Sequence, residues 1–350
     1  MVPRFLLNKP LHFGAGEEIN IQRMKRIFLF LHTLLCCFLS FTSCLEKPVD
    51  ISGISVKSVG VEVEYTKAKV YGDIQVLPTA PEISGIIISY GISKDDLSKT
   101  INASYDMTNG YSAHINDLED GKEYYFRVDI IIGNVKVSSS INSFITFPIG
   151  PIDLDLPSGN KWASHNIGAG KPTEAGSYFA WGETKEKTNY SWETYTHCID
   201  GDRKRLSKYT TEDFYANFGI LDNLVELESE DDAAYTILGS EWETPSYRDW
   251  QELGTNCVIT TVQINGIIGL RVSSKEDRNN NKKFIFLPAQ CGVYNGTSIS
   301  HSKNDAYYWT STLDAEQSYR ALCINLTTSG KLMINDGDRA LGETIRPITK

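Results

Sequence analysis

Histidine is scarce in this chain. Of six in 350 residues, only His114, His165, His197 and His301 lie beyond residue 44, and no two stand at a metal-ligand spacing. The motifs of common chemistries are missing too: no HExxH, no GxSxG, no GxGxxG after a strand and no P-loop lysine. The cysteines beyond residue 44 (Cys198, Cys257, Cys291 and Cys323) form no CxxC, which removes the usual zinc and redox arrangements. The sequence thus reads as a protein that is not an enzyme, with no catalytic residue, metal site or cofactor to assign. Positive charge is short as well, with 34 Lys and Arg against 44 Asp and Glu and a formal net charge of −10. Residues 1–44 hold five Lys or Arg and two Glu, so residues 45–350 carry −13. Phosphate binding rests on neutralisation by Lys and Arg, so no nucleic acid partner is expected and anionic headgroups are disfavoured.

What is present begins with one apolar run. Residues 27–42 read IFLFLHTLLCCFLSFT, with Lys25 and Arg26 directly before them and Met24 ahead of those. A basic stretch followed by a short apolar segment is the layout of a secretory signal, and the run falls short of the about 20 residues a membrane span needs. Phe41-Thr42-Ser43-Cys44 then resembles the bacterial lipobox, with Phe41 where that motif usually has Leu. The resemblance implies a signal peptide over 24–44 and a lipid on Cys44, which becomes the first residue of the mature chain. Its membrane partner would be engaged through that N-terminal lipid, at the outer membrane and facing the surface. Each buried lipid methylene adds roughly 0.8 kcal/mol, and several chains make attachment stable. Glu17 and Glu18 do not fit a signal peptide, so residues 1–23 are expected to be a mis-assigned upstream segment, with translation starting at Met24. Residues 45–50 form a short polar tether.

At 350 residues, 41% hydrophobic and 22% charged, the chain is globular and long enough for two cores. Residues 51–147 alternate apolar and polar positions without a helical period. The expected strands are 60–65, 68–76, 85–91, 111–118, 123–132 and 135–147, separated by Asp, Gly, Pro and Asn. In 124–128 the alternation is explicit: Tyr124, Phe126 and Val128 face one way, Tyr125 and Arg127 the other. The spacing predicts an all-β immunoglobulin-like sandwich. Leu118-Glu-Asp-Gly-Lys-Glu-Tyr124 resembles the fibronectin type III corner, which implies a Tyr124 hydroxyl tied back to the preceding backbone. A spacer is the expected role.

Composition changes after the Pro148–Pro151 linker (148–151): all six tryptophans, Trp162, Trp181, Trp192, Trp242, Trp250 and Trp309, lie beyond it. Within 152–350, islands occur in a fixed order: Asp153-Leu-Asp-Leu-Pro-Ser-Gly-Asn-Lys-Trp-Ala163, Asn166-Ile-Gly-Ala169, Gly176-Ser-Tyr-Phe-Ala-Trp-Gly-Glu183 and Glu230-Asp-Asp-Ala-Ala234. Gly239, Trp242, Pro245, Asp249-Trp-Gln-Glu-Leu253, Phe286-Leu-Pro-Ala289, Tyr308-Trp-Thr-Ser-Thr312 and Ile345-Arg-Pro-Ile348 complete them. Together they resemble the Fibrobacter succinogenes major paralogous domain, which implies a C-type lectin-like α+β fold with its termini together in one sheet. Glu243 and Thr244 stand where that family has a basic and an apolar residue, so no role of the missing arginine transfers. The residues themselves predict a helix beginning near Thr244, with Thr244 as N-cap and Pro245 in the first turn, and Trp250 and Leu253 sharing a face. Expected strands follow at 258–264, 266–273, 283–287, 319–326 and 331–334, with a polar turn at 278–282.

The acidic run Glu228-Ser-Glu-Asp-Asp232 reads as a solvated loop leading into a helix rather than a calcium site. Asn335-Asp336-Gly337-Asp338 resembles lectin calcium carboxylates, but the upstream loop those lectins need is missing. Four exported cysteines permit disulfides, and nothing selects among the three pairings. The tryptophans read mainly as core. Ligand contact, if carbohydrate, falls to the polar and aromatic loops 185–215 and 290–305. The expectation is a non-catalytic display protein for a glycan or surface protein; the alternative is a structural subunit of a surface appendage or envelope complex.

Overall fold

The computed structural model describes residues 52–218, 220–276, 283–300, 305–327 and 329–350. The expected signal peptide, Cys44, the tether, His301 and the turn at 278–282 lie outside the described residues.

The N-terminal sandwich is built from β1 (Ile54–Val56), β2 (Gly60–Val63), β3 (Ala68–Gly72), β4 (Ile74–Val76), β5 (Gly85–Gly91), β6 (Lys99–Asp106), β7 (Gly110–Ile115), β8 (Glu123–Ile132), β9 (Val135–Ser138) and β10 (Asn142–Ile145). Period-two patterning holds in β8, where Tyr124, Phe126 and Val128 are buried and Tyr125 and Arg127 are partly exposed. The strand order β10-β8-β5-β6-β7-β3-β2 runs through two layers. β6 joins them, pairing with β5 through Lys99 to Ala103 and with β7 through Ser104 to Asp106. Between the layers lie Val70, Ile88, Ile115, Phe126 and Val128. The sequence reading placed no strand between 91 and 111. β6 nevertheless fills that gap, with Ile101, Ala103 and Tyr105 partly buried and alternating with exposed Asn102, Ser104 and Asp106. The expected strand 68–76 is also divided, since β4 turns away at Asp73 to pair with β1.

The remainder is β-rich with few helices: β11 (Pro151–Asp153), β12 (Lys161–Ala163), β13 (Cys198–Ile199), β14 (Asp202–Leu206), β15 (Trp242–Glu243), β16 (Cys257–Ile264), β17 (Ile267–Ser274), β18 (Phe284–Pro288), β19 (Val293–Asn295), β20 (Ser298–Ser300), β21 (Asp305–Leu313), β22 (Arg320–Thr327), β23 (Lys331–Asp338) and β24 (Ile348–Thr349). The order β11-β12-β24-β15 brings the first and last strands of this region into one sheet. Two three-stranded sheets, β16-β17-β18 and β21-β22-β23, flank the helix Tyr247–Asn256. That helix starts two residues later than expected. Ser246, not Thr244, is the N-cap: its Oγ accepts the Asp249 N–H at 3.3 Å, and Asp249 Oδ2 accepts the Ser246 N–H at 2.8 Å. Thr244 instead donates both its N–H and its hydroxyl to Asp232, at 2.8 and 2.6 Å. Trp250 and Leu253 do share the buried face, and Trp250 meets Trp162 edge-on at 4.7 Å.

The sandwich and the C-terminal region share a seam. Phe147, buried, packs against Phe284 and Phe286 with ring centroids 6.4 and 6.3 Å away. At the β16–β17 turn, Asn265 and Gly266 hold φ of 53° and 78°, a two-residue hairpin of the Asn-Gly kind. The exposed turn then reaches the sandwich: Asn265 Oδ1 accepts the Val63 N–H at 2.7 Å and its Nδ2 donates to the Val63 carbonyl at 2.8 Å. Residues 148–151 are accordingly tied down, with the Ile149 N–H on Asp120 at 3.1 Å and Pro151 already in β11.

Candidate functional site

The two loops singled out in the sequence do meet. Tyr190 and Gly296 exchange backbone hydrogen bonds at 2.8 Å in each direction, and the Tyr190 and Tyr294 rings stack at 5.2 Å. The aromatics there mostly turn inward. Tyr190 and Tyr195 are buried, giving their hydroxyls to the Tyr178 carbonyl at 2.6 Å and the Trp181 carbonyl at 2.7 Å; Trp192, Tyr178 and Tyr294 are partly exposed, and Phe214 is exposed. Four of the six tryptophans (Trp162, Trp181, Trp250 and Trp309) are fully buried, as the core reading expected, while Trp192 and Trp242 reach the surface in part.

The acidic run is held by a cation from this same chain. Glu228, Glu230 and Asp231 cluster, and Lys208 Nζ stands 2.5 Å from Glu228, 3.4 Å from Glu230 and 2.6 Å from Asp231. Burial alone would lower the Lys208 pKa, but the Asp231 and Glu228 carboxylates outweigh it and hold it above the ordinary value. Asp231 also accepts the Tyr209 hydroxyl at 2.6 Å and lies 3.6 Å from His197, whose pKa burial pushes down. The next residue, Asp232, N-caps the helix Ala233–Leu238, so the run leads into a helix as expected. Asp336 of the other acidic stretch lies in β23 and pairs with Arg320 Nε at 2.5 Å.

Two buried arginines and a buried glutamate form polar centres that no expected site includes. Arg339 donates from Nε to Tyr195 Oη at 2.8 Å and from its terminal nitrogens to the Lys208, Tyr209 and Ser318 carbonyls, within the rings of Trp181, Tyr195 and Tyr209. Arg346 donates to Asn166 Oδ1 at 2.7 Å and to the Phe286, Ala163 and Ser164 carbonyls. Glu343 lies next to Cys323, and burial raises its pKa to about 8. A lone charge inside an apolar stretch (Ile345-Arg346-Pro347-Ile348) was the available signal for one of them. All four described cysteines are free thiols, and burial raises Cys257 to about 11.

Two of the surface concavities are lined largely by polar side chains. One of about 540 Å³ is lined by Ser229, Tyr235, Ser240, Glu241, Trp242 and Lys350, with Glu243 paired to Lys350 at 2.7 Å. The adjoining helix exposes Tyr235, Ile237 and Leu238. Another, of about 530 Å³, lies where sandwich and C-terminal region meet, between Glu64, Lys67, His114, Lys171 and Glu174.

No family model matches this chain, and no curated protein does. Solved structures match part of it. A human fibronectin type III domain, the sixth of fibronectin type III domain containing protein 3, is 19% identical over 27% of this chain and 86% of its own (TM-score 0.22). A myokine structure is 24% identical over 27% and 96% (TM-score 0.22). The sensor domain of the anti-sigma factor RsgI4 of Pseudobacteroides cellulosolvens is 24% identical over 29% and 97% (TM-score 0.21). The described chain itself is a mostly β, multidomain protein carrying a fibronectin type III-like sandwich. Its expected tyrosine corner is made: Tyr124 Oη accepts the Glu119 N–H at 2.9 Å.

Proposed function

We propose that this chain is a non-catalytic cell-envelope lipoprotein, lipidated on Cys44 at the outer membrane, that displays a lectin-like C-terminal domain to a glycan or a surface protein. The seam at Phe147, Phe284, Phe286 and Asn265 carries the reading, because it fixes the spacer to the module it presents. The islands that resemble the Fibrobacter domain fit it as well: Trp162, Phe179, Trp181, Trp250, Tyr308 and Trp309 fill two adjoining cores, leaving recognition to the loops. The groove at Tyr235 and Trp242 offers ring faces beside serine hydroxyls and carboxylates, chemistry suited to a polyhydroxylated ligand. Glycan and surface-protein arrays probed with the purified full-length protein test it. Binding that weakens in Trp242→Ala is expected; no binding to any array member rejects the display role. Mass spectrometry of the native protein tests the anchor separately, since a mature peptide that starts before Cys44 rejects lipidation.

The second reading, a structural subunit of an appendage or envelope complex, draws on the exposed Tyr235, Ile237 and Leu238 of one short helix. Stoichiometric partners co-purifying from membranes favour it over a lone ligand-binder.

A further inference from the structure

We propose that the cleft between the sandwich and the C-terminal region binds a sparsely carboxylated glycan, a ligand class that rests on the display reading above. Clefts between packed regions are common ligand sites, because two walls converge on one molecule. This one has a volume of about 530 Å³. One wall is the outward face of β2, β3 and β7. Glu62 and His114 each stand directly opposite Lys69 in the register, so the three side chains share that face. Lys67 belongs to the turn before β3, where the Glu64 N–H donates to its carbonyl at 2.8 Å.

The other wall comes from the C-terminal region, with Lys171, Thr173, Glu174 and Gln290. The walls are tied to each other. Asn265 also lines the cleft, and it bonds both backbone groups of Val63, at 2.7 and 2.8 Å. A ligand therefore meets a preformed site and does not have to draw the two regions together.

Charge selects the ligand. Residues 45–350 carry a net −13, yet three lysines and a histidine line this cleft against three glutamates. The glutamates are already engaged. Glu64 pairs with Lys171 at 3.3 Å and Glu62 with Lys69 at 4.0 Å. Glu174 accepts the Gly170 and Lys171 N–H groups on Oε2, at 2.8 and 3.2 Å. Among the described residues Lys67 enters no ion pair, so one ammonium on the cleft wall lacks a counter-charge. A single carboxylate is its complement.

The same glutamates decide what surrounds that carboxylate. They repel further anions and accept hydrogen bonds from hydroxyls, while Thr173 and Gln290 add neutral polar groups. A ligand with one carboxylate among many hydroxyls fits. An acidic peptide, a nucleic acid or an anionic membrane, each with closely repeated charge, does not.

Isothermal titration calorimetry of the full-length protein in detergent at low salt tests this. Sialyllactose and a glucuronate-capped trisaccharide are the probes, each beside its methyl ester, which keeps the hydroxyls and removes the charge. At least one acid is expected to bind, and its ester about tenfold more weakly. Lys67→Glu should raise the dissociation constant about tenfold or more, with a circular dichroism melt confirming that the fold survives. Lys99→Glu, the same charge change at the exposed start of β6 and off the cleft wall, should leave it unchanged. Four results overturn the proposal: neither acid binds, the esters bind equally well, Lys67→Glu has no effect, or a polyglutamate peptide binds more tightly than both saccharides. Neutral glycans bound on arrays while both acids fail would reject this cleft and leave the display role standing.

Discussion

Arg346 and Arg339 are fully buried, and the groups that meet their guanidiniums are carbonyls, a side-chain amide oxygen, a tyrosine hydroxyl and ring faces rather than carboxylates. Burial pulls the Arg346 pKa down, yet arginine stays charged across the accessible range, so its donors must be satisfied. They also bind three separate segments: Asn166 with Ala163 and Ser164, Phe286, and the closing strand's own stretch. Arg346→Met removes these bonds and strands buried carbonyls, for an expected loss of about 3 to 5 kcal/mol in urea unfolding. Glu343 behaves differently. Its folded pKa of about 8 lies above the ordinary 4.5, so the folded state holds a proton that the unfolded chain releases. Its contribution is fully present below pH 4.5, falls as pH rises and is lost by about pH 8. Unfolding free energies at pH 5 and pH 8 should therefore differ more in the wild type than in Glu343→Gln, by roughly a few kcal/mol. Equal pH dependence in the two proteins would count against a protonated Glu343.

At the scale of elements, the tyrosine corner was legible because it is local. Leu118 and Tyr124 are six positions apart, and the Tyr124 hydroxyl reaches Glu119 within the same turn. Tyr124→Phe keeps the buried ring and its 5.6 Å contact with Phe144 but orphans the Glu119 N–H. The expected loss is about 1 to 2 kcal/mol, read as a lowered melting temperature of the sandwich. The start of the helix Tyr247–Asn256 was half legible. Thr244 and Ser246 are both good caps by residue type, and the competition was decided by Asp232, which takes both donors of Thr244. β6 carries a period-two alternation of Ile101, Ala103 and Tyr105 with Asn102 and Ser104, so the strand is legible in the sequence although none is expected there.

For the whole molecule, the seam is the feature with the largest mechanical consequence. If Phe147 and Asn265 couple the two regions, calorimetry of the wild type should show one cooperative transition. Phe147→Ala, a buried aromatic truncation of about 3 to 5 kcal/mol, should split it into two. Two transitions already present in the wild type would mean that the sandwich and the C-terminal region unfold independently.

The sequence alone determined what short-range patterns carry: the alternation that builds β8, the corner at Tyr124, the tryptophan-bearing islands that become core, and the acidic lead into a helix. Tertiary structure decided everything that joins distant positions. Lys208 fills the carboxylate cluster at 228–231, Arg346 ties residues 163–166 to Phe286, and Asn265 reaches Val63. It also left Ile334, which pairs opposite the buried Ile324, uncovered on a core face. Hydrophobic periodicity shows which side of a strand should be buried, but whether another layer arrives to bury it depends on packing that no local window contains.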